Sequence, residues 1–483
     1  MTLTEAHGRA DEDRKAPRRG WPAWAAVAVW AAWIAAAFAV GWYLRRAGLS
    51  TEDPLPPLHA RPRGWPPSWP LWRFLPAAAV AALAVAALPA LAARLPWRVL
   101  PLAAWAAAAA WTVALAVTDG WGALARPLDA PTEYPAGLAQ LRPDPLEWLR
   151  TFTERLGGYT THVRGHPPLP MLVLWGLERA GFGGTGWAAA FVVASGTSAA
   201  AAIAVTLRCL AGERAARAAV PFLALAPLAV WVATALDAFF LAVAAWGTAL
   251  LALAARGAGN RALVPAAAGG LLLGCLPYLS YGLLPLLAVP LAVVVLGRPR
   301  ARVLAAACAA LAVVPAAFTL LGFWWPDGVR ATLDTYLVSR GSARRSYAYF
   351  LPANLAVLGL LTGPAVAHAL PGTLAELCRG ALWRNLLGRR RPGRSALDRD
   401  APPSRPGAVA PGAAVAVVAG AALLGVLVLD ASGVTRGEVE RIWVPFAAWL
   451  TVAAAVGRPR GRAWLAAQAA TALTVQALVL SPW

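Results

Sequence analysis

The chain has 483 residues, 59% of them hydrophobic and only 14% charged, with a formal net charge of +20. Soluble domains carry nearer a quarter charged residues, whereas here apolar runs of about 18 residues or more recur, the length that spans roughly 30 Å of hydrocarbon. Such a composition excludes a soluble enzyme. The arginines exclude a nucleic-acid binder, because they punctuate the ends of apolar runs and form no single basic face.

The first 20 residues are polar and end in a basic cluster, Arg14, Lys15, Arg18 and Arg19. They are too long for an ordinary signal peptide and read as a cytoplasmic tail anchoring a retained first helix. Hydropathy predicts spanning helices at 21–43, 72–93, 99–118, 187–207, 215–234, 238–255, 262–279, 282–297, 303–325, 351–371, 408–430, 441–457 and 463–480. The expected fold is therefore an all-α bundle of about 13 spans. Its regions are a tail (1–20), N-terminal helices (21–118), an outer loop segment (119–182), a transmembrane core (183–371), a basic cytoplasmic linker (372–407) and C-terminal helices (408–483).

The apolar segment 168–181 is about 14 residues long, which suits a re-entrant or interfacial helix better than a span. Charge supports that choice. With the N-terminus inside and 168–181 not crossing, every cytoplasmic connection carries arginine, among them Arg94 and Arg98, Arg256 and Arg261, Arg298 to Arg302, and the "GRRRPGR" run. The C-terminus then lies outside, in a plasma-membrane protein. The exception is the first outer loop, which holds Arg45, Arg46, Arg61 and Arg63.

Chemistry-bearing residues gather in the outer segments. The loop "TDGWGALARPLDAPTEYPAGL" offers Asp119, Asp129 and Glu133 beside Tyr134. A carboxylate at a membrane exit can act as a general base, or be a solvated loop charge. Further along comes "YTTHVRGHPPLP", with His162, Arg164 and His166. Pro-Pro forbids helix there and holds His166 extended, so these side chains stand on a stiff corner before an apolar helix. Two histidines without a third nearby ligand make no metal site, and the scattered Cys209, Cys275, Cys308 and Cys378 add none. No cofactor is expected.

Asp237 stands in near-continuous apolar sequence, "VWVATALDAFFLAVAAW". A carboxylate there either faces a cavity or partner, or caps the next helix. Arg340, Arg344 and Arg345 precede Tyr347 and Tyr349. Guanidinium groups grip phosphate through paired donors, and equally contact anionic lipid headgroups. With Asp334 the nearest acidic residue in sequence, a local ion pair is not expected for Arg344 or Arg345. Glu438, Glu440 and Arg441 can pair among themselves at the mouth of a span.

The order of a helix, an outer loop with "EY", then "HPPLP", "RCLAGERAAR" and "LAPLAVWVATALDAFF" resembles the GT-C class of integral membrane glycosyltransferases. It is most similar to the branch of protein O-mannosyltransferases, the lipid A aminoarabinose transferase and many actinobacterial membrane proteins. The resemblance covers about 119–300, and "GEVERIWVPF" matches more loosely. It implies transfer of a sugar from a polyprenyl-phosphate carrier to a glycan, lipid or protein acceptor at the outer face. It implies Glu133 as base, His166 with Pro167 and Pro168 as the His-Pro-Pro signature, and Asp237 as the second acidic residue. On this reading His162, Arg164, Tyr134, Arg344, Arg345 and Tyr347 bind substrate. The resemblance departs at position 132, Thr where the class has an acidic residue, which leaves Asp129 as the other candidate base. Two alternatives stand beside it: a transporter or flippase of lipid-linked saccharide, and a non-catalytic partner in envelope assembly. Transporters are often built from repeated halves, and no internal repeat is present here.

Overall fold

The computed structural model describes residues 23–48, 53–64, 70–233, 235–338, 344–379, 409–456 and 461–482. The N-terminal tail, Arg340 and most of the basic linker lie outside these. The described chain is all-α. Its only strand pairing joins Arg61–Pro62 to Val479–Leu480, antiparallel.

Among the described residues eight helices are long and apolar enough to cross a membrane: Trp24–Arg46, Trp72–Arg94, Leu100–Asp119, Thr185–Ala211, Leu236–Arg256, Gly259–Leu279, Ala301–Leu320 and Pro411–Ala431. A ninth crossing results if Tyr347–Thr362 and Pro364–Leu377, bent by 109°, count as one. The chain has the build of a multi-pass membrane protein.

Several predicted spans are broken, each where the sequence supplies a cause. The run 215–234 becomes a helix over Glu213–Ala224 and a 3-10 turn over Pro227–Trp231. Pro227 forces Ala226 into extended geometry, which stops the helix. The run 282–297 begins as a 3-10 turn, Tyr281–Leu287, before the helix Ala288–Gly297. The run 351–371 breaks at Gly363, whose φ of 77° precedes Pro364. The run 441–457 splits into Val439–Ile442, Val444–Leu450 and Thr451–Ala455. Freed backbone groups of this kind are tolerated only where neighbouring helices enclose them, and 443–454 is indeed buried throughout. Segment 168–181 forms the helix Leu169–Arg179, only 11 residues long, too short for a span.

Packing rests on small residues, as it must where lipid tails are as apolar as the side chains. Thr185–Ala211 lies against Leu236–Arg256, which lies against Leu263–Leu279, which lies against Ala301–Leu320. At Gly270 and Gly274 an added Cβ would fall on the carbonyl oxygens of Ala307 and Leu311. That pair, four residues apart, lets the two backbones touch. Polar side chains add interhelical bonds: Trp246 donates to Ser198 (2.9 Å), and Gln468 donates to the Thr362 carbonyl (2.9 Å). Arg217 donates to the Ala92 and Leu95 carbonyls, capping the helix Leu75–Arg94.

The 119–166 loop is not loose. It folds into short helices, including Tyr134–Leu141 and Pro145–Arg150. An aromatic cluster of Trp148, Phe152 and Tyr159 seats it on Phe323, which in turn packs on Phe318 and Tyr278. The loop therefore presents Glu133 and the two histidines from a packed support.

Candidate functional site

Glu133 occupies the N-cap position of the helix Tyr134–Leu141, yet its side chain makes no capping bond. Asp144, at the start of the next helix, does cap, accepting from the Leu146 and Glu147 amides at 3.0 and 2.9 Å. Glu133 instead turns its carboxylate to His162, with Oε1 3.3 Å from Nδ1. It is buried (9% exposed). Burial is the main cause that pushes its pKa up to about 7; Arg441 opposes the shift and Asp237 adds to it.

His162 Nδ1 lies 2.9 Å from the Thr132 carbonyl oxygen, and His166 Nδ1 lies 2.9 Å from the His162 carbonyl oxygen. A carbonyl only accepts, so both Nδ1 atoms carry the proton and both Nε2 atoms present a lone pair. Burial, with Arg441 as the next cause, holds both rings neutral: the His162 pKa lies well below its ordinary value and that of His166 falls to about 4. Tyr134 lies against both imidazoles, with ring centroids 5.8 and 5.6 Å away. Its hydroxyl is buried and meets no hydrogen-bond partner among the described residues.

Asp237 sits in the first turn of Leu236–Arg256 and is 4% exposed. It is no helix cap in this structure: the N-cap residue is Ala235, and Asp237 Oδ2 accepts from Arg441 at 2.9 Å. Arg441 is 6% exposed and also faces Glu438 at 3.7 Å. Glu438 reaches in turn to Arg345 at 3.3 Å, and Arg345 to Asp53 at 3.1 Å. Asp53 accepts from the His59 ring at 2.6 Å, and the His59 amide donates to Glu440 at 2.8 Å. A chain of opposite charges thus runs from Asp237 to the segment 53–63.

Glu438 holds its place in that chain with a left-handed backbone, φ 60° and ψ 12°. For a residue with a Cβ that geometry is uncommon and costs about 1–3 kcal/mol. Gly437 before it also has positive φ (85°), and a Cβ there would press on the Arg345 guanidinium. Glycine is thus required at 437 for Arg345 to reach Glu438.

Glu133, Tyr134, His162, His166 and Asp237 come together. Other predicted residues do not join them. Asp129 is exposed and accepts from Thr185 at 2.7 Å, so its carboxylate steadies the start of Thr185–Ala211. Arg345 corrects an expectation: it has ion-pair partners, distant in sequence and close in space, and is buried (9%). Tyr347 donates its hydroxyl to the Ala431 carbonyl at 2.9 Å. Arg344 is exposed and Arg164 half-buried, and among the described residues neither lies within ion-pair distance of a carboxylate. Glu438 and Arg441 do pair, and Arg441 further binds Asp237, a partner 204 residues away. Asp53, His59 and Arg63 were not singled out as site residues.

Beside this cluster lies a cavity of about 720 Å³. Segment 53–63, residues 116–130 and residues 476–482 provide most of its wall. Arg63 crosses the wall to grip Asp119 with two bonds of 2.8 and 2.6 Å. No group of histidine, cysteine and carboxylate side chains suited to a metal ion occurs among the described residues.

No protein-family model matches the chain, and neither a curated protein nor a solved structure is similar to it.

Proposed function

We propose that the chain is an integral membrane glycosyltransferase of GT-C type, which moves a sugar from a polyprenyl-phosphate donor to an envelope acceptor at the outer face. The observation that carries the reading is the meeting of Glu133, His162, His166 and the Asp237–Arg441 pair at one buried point. A carboxyl group with a pKa near neutrality, held in place but not consumed by capping, is suited to general-base work.

In the proposed step the acceptor hydroxyl gives its proton to Glu133. Its oxygen forms a bond to the anomeric carbon as the bond from that carbon to the phosphate oxygen breaks. The polyprenyl phosphate leaves with the electron pair, and a single displacement inverts the anomeric centre. Negative charge growing on the leaving group calls for a cation. Arg344 and Arg164 are the candidates on the donor side, since Arg345 is already held by two carboxylates. Tyr134 offers a buried hydroxyl donor to substrate.

The reading includes the thirteen crossings, with the shorter and broken helices counted among them, the N-terminus in the cytoplasm and the C-terminus outside. Arginine placement supports this orientation. A cysteine at Ala258 is expected to react only with reagents admitted to the cytoplasm, and labelling from outside would overturn the topology. The activity is tested directly by giving purified protein a polyprenyl-phosphate sugar. Release of free polyprenyl phosphate that depends on an added acceptor is expected. Movement of intact donor between leaflets, with no cleavage, would assign the chain to transport instead.

A further inference from the structure

The 720 Å³ cavity is large enough for a drug-sized or disaccharide-sized ligand. Four arginines line it, Arg61, Arg63, Arg126 and Arg345, against two carboxylates, Asp53 and Asp119. Both carboxylates are engaged: Asp119 by Arg63, and Asp53 by Arg345 and His59. The guanidinium groups of Arg61 and Arg126 meet no carboxylate within ion-pair distance among the described residues. Arg126 has one long contact, 3.5 Å to the Asp119 carbonyl, and both residues are exposed. Among the described residues the wall therefore carries two cations that its carboxylates do not pair with, beside the half-buried Arg63 and the buried Arg345, both held by ion pairs.

The wall also tells from which side a ligand comes. Much of it is built from segments at and beyond the ends of long apolar helices, 53–63 and 119–130, and the rest chiefly from 476–482, the end of the helix Gly461–Leu478 and the residues after it. A lipid donor enters from the hydrocarbon. A ligand enclosed by these segments enters from water or from the headgroup layer. One wall residue is Ala130, whose carbonyl accepts from the Glu133 amide at 3.0 Å. Another is Ala233, close in sequence to Asp237. The cavity wall thus shares its backbone with the segments that carry Glu133 and Asp237, although neither carboxylate is itself a wall residue.

The geometry points to this cavity as the acceptor site, taking an acceptor that carries an anionic group, phosphate or carboxylate, between Arg61 and Arg126. The assignment rests on the transferase reading for the word acceptor, and on the cavity alone for the anion. Guanidinium pairs recognise both groups through parallel donors, and a fixed neighbour such as Arg63 keeps the wall from collapsing onto its own carboxylate.

The test uses full-length protein in nanodiscs of phosphatidylcholine, with radiolabelled glycerol phosphate as probe and glycerol as its uncharged control. Glycerol phosphate is expected to bind and glycerol not. The Arg61→Ala/Arg126→Ala double variant is expected to weaken binding by roughly tenfold or more, as loss of charged hydrogen bonds does. Because both arginines are exposed, the double variant should keep its fold. An Arg61→Lys/Arg126→Lys variant should recover part of the affinity. Displacement of the probe in phosphatidylglycerol nanodiscs would identify a lipid-borne form of the same ligand, and its absence a water-borne one; both support the site. Equal binding by wild type and the double variant, or equal binding of glycerol, overturns it. Anion binding in a protein that cleaves no polyprenyl-phosphate sugar would overturn the acceptor role alone, whereas transfer without anion binding would overturn this inference and leave the transferase reading standing.

Discussion

Glu133→Gln is expected to lower the rate of transfer by about 10²–10⁴-fold while the fold persists, the usual loss on removing a positioned proton acceptor. The amide keeps the size of the side chain and removes the base. Asp129→Asn is expected to stay within a few-fold of wild type, because that carboxylate only accepts from Thr185. The pH profile carries the same information. Burial raises the Glu133 pKa to about 7, and a base must be deprotonated, so the rate should climb as pH rises through about 7. Stability should move the other way. A carboxyl whose folded pKa is raised favours folding while neutral, and that contribution is lost as pH rises through the folded value. Rate measurements between pH 5.5 and 8.5 on wild type and both variants check these points. A dead Asp129→Asn beside an active Glu133→Gln would assign the base to the other carboxylate.

Arg441→Ala is expected to destabilise the protein by about 3–5 kcal/mol, the cost of leaving a buried carboxylate without its cation. Asp237 is 4% exposed and accepts from Arg441, so no solvent takes over when that cation is removed. Glu438 would lose a partner as well, although Arg345 would still hold it. The Arg441→Met/Asp237→Leu double variant should recover much of the stability, since replacing both charges by apolar groups removes the burial penalty. It should not recover transfer. Thermal unfolding in detergent, read as a double-mutant cycle, measures the coupling. If the two single variants simply add, the pair is not the element that joins the two helices.

The long helices were legible because unbroken apolar runs, at the period of the bilayer, have one solution in lipid. The broken ones were not. Hydropathy sums over Ala226–Pro227 and Gly363–Pro364 without registering that each pair stops a helix, and so reads 215–234 and 351–371 as single rods. The loop signals survived better. "EY" and "HPP" pointed to Glu133, His162 and His166, and the structure brings these into contact. The identity of their counter-charges did not survive, because Arg441, Glu438 and Asp53 are joined to them only through tertiary packing. One hint was present. Arg61 and Arg63 broke the rule that basic residues stay on the cytoplasmic side, and an unexplained charge on the wrong face is itself a signal. They line the cavity. The partners of Arg345 were hidden for a related reason: along the chain Asp334 is the nearest acid, while the partners lie 292 and 93 residues away.

The Asp237–Arg441 pair also sets a condition on how the protein is made. The acidic residue is synthesised 204 residues before its cation. At about 5–20 residues per second, translation leaves a gap of roughly 10–40 s in which the helix Leu236–Arg256 must enter the membrane without its counter-ion. An unpaired carboxylate resists burial in lipid, so that helix is expected to wait with its first turn at the interface. The strand pairing of Arg61–Pro62 with Val479–Leu480 forms later still, only after the helix Gly461–Leu478 is placed. A chain that stops short of residue 441 therefore keeps Asp237 without the cation it pairs with in the finished fold.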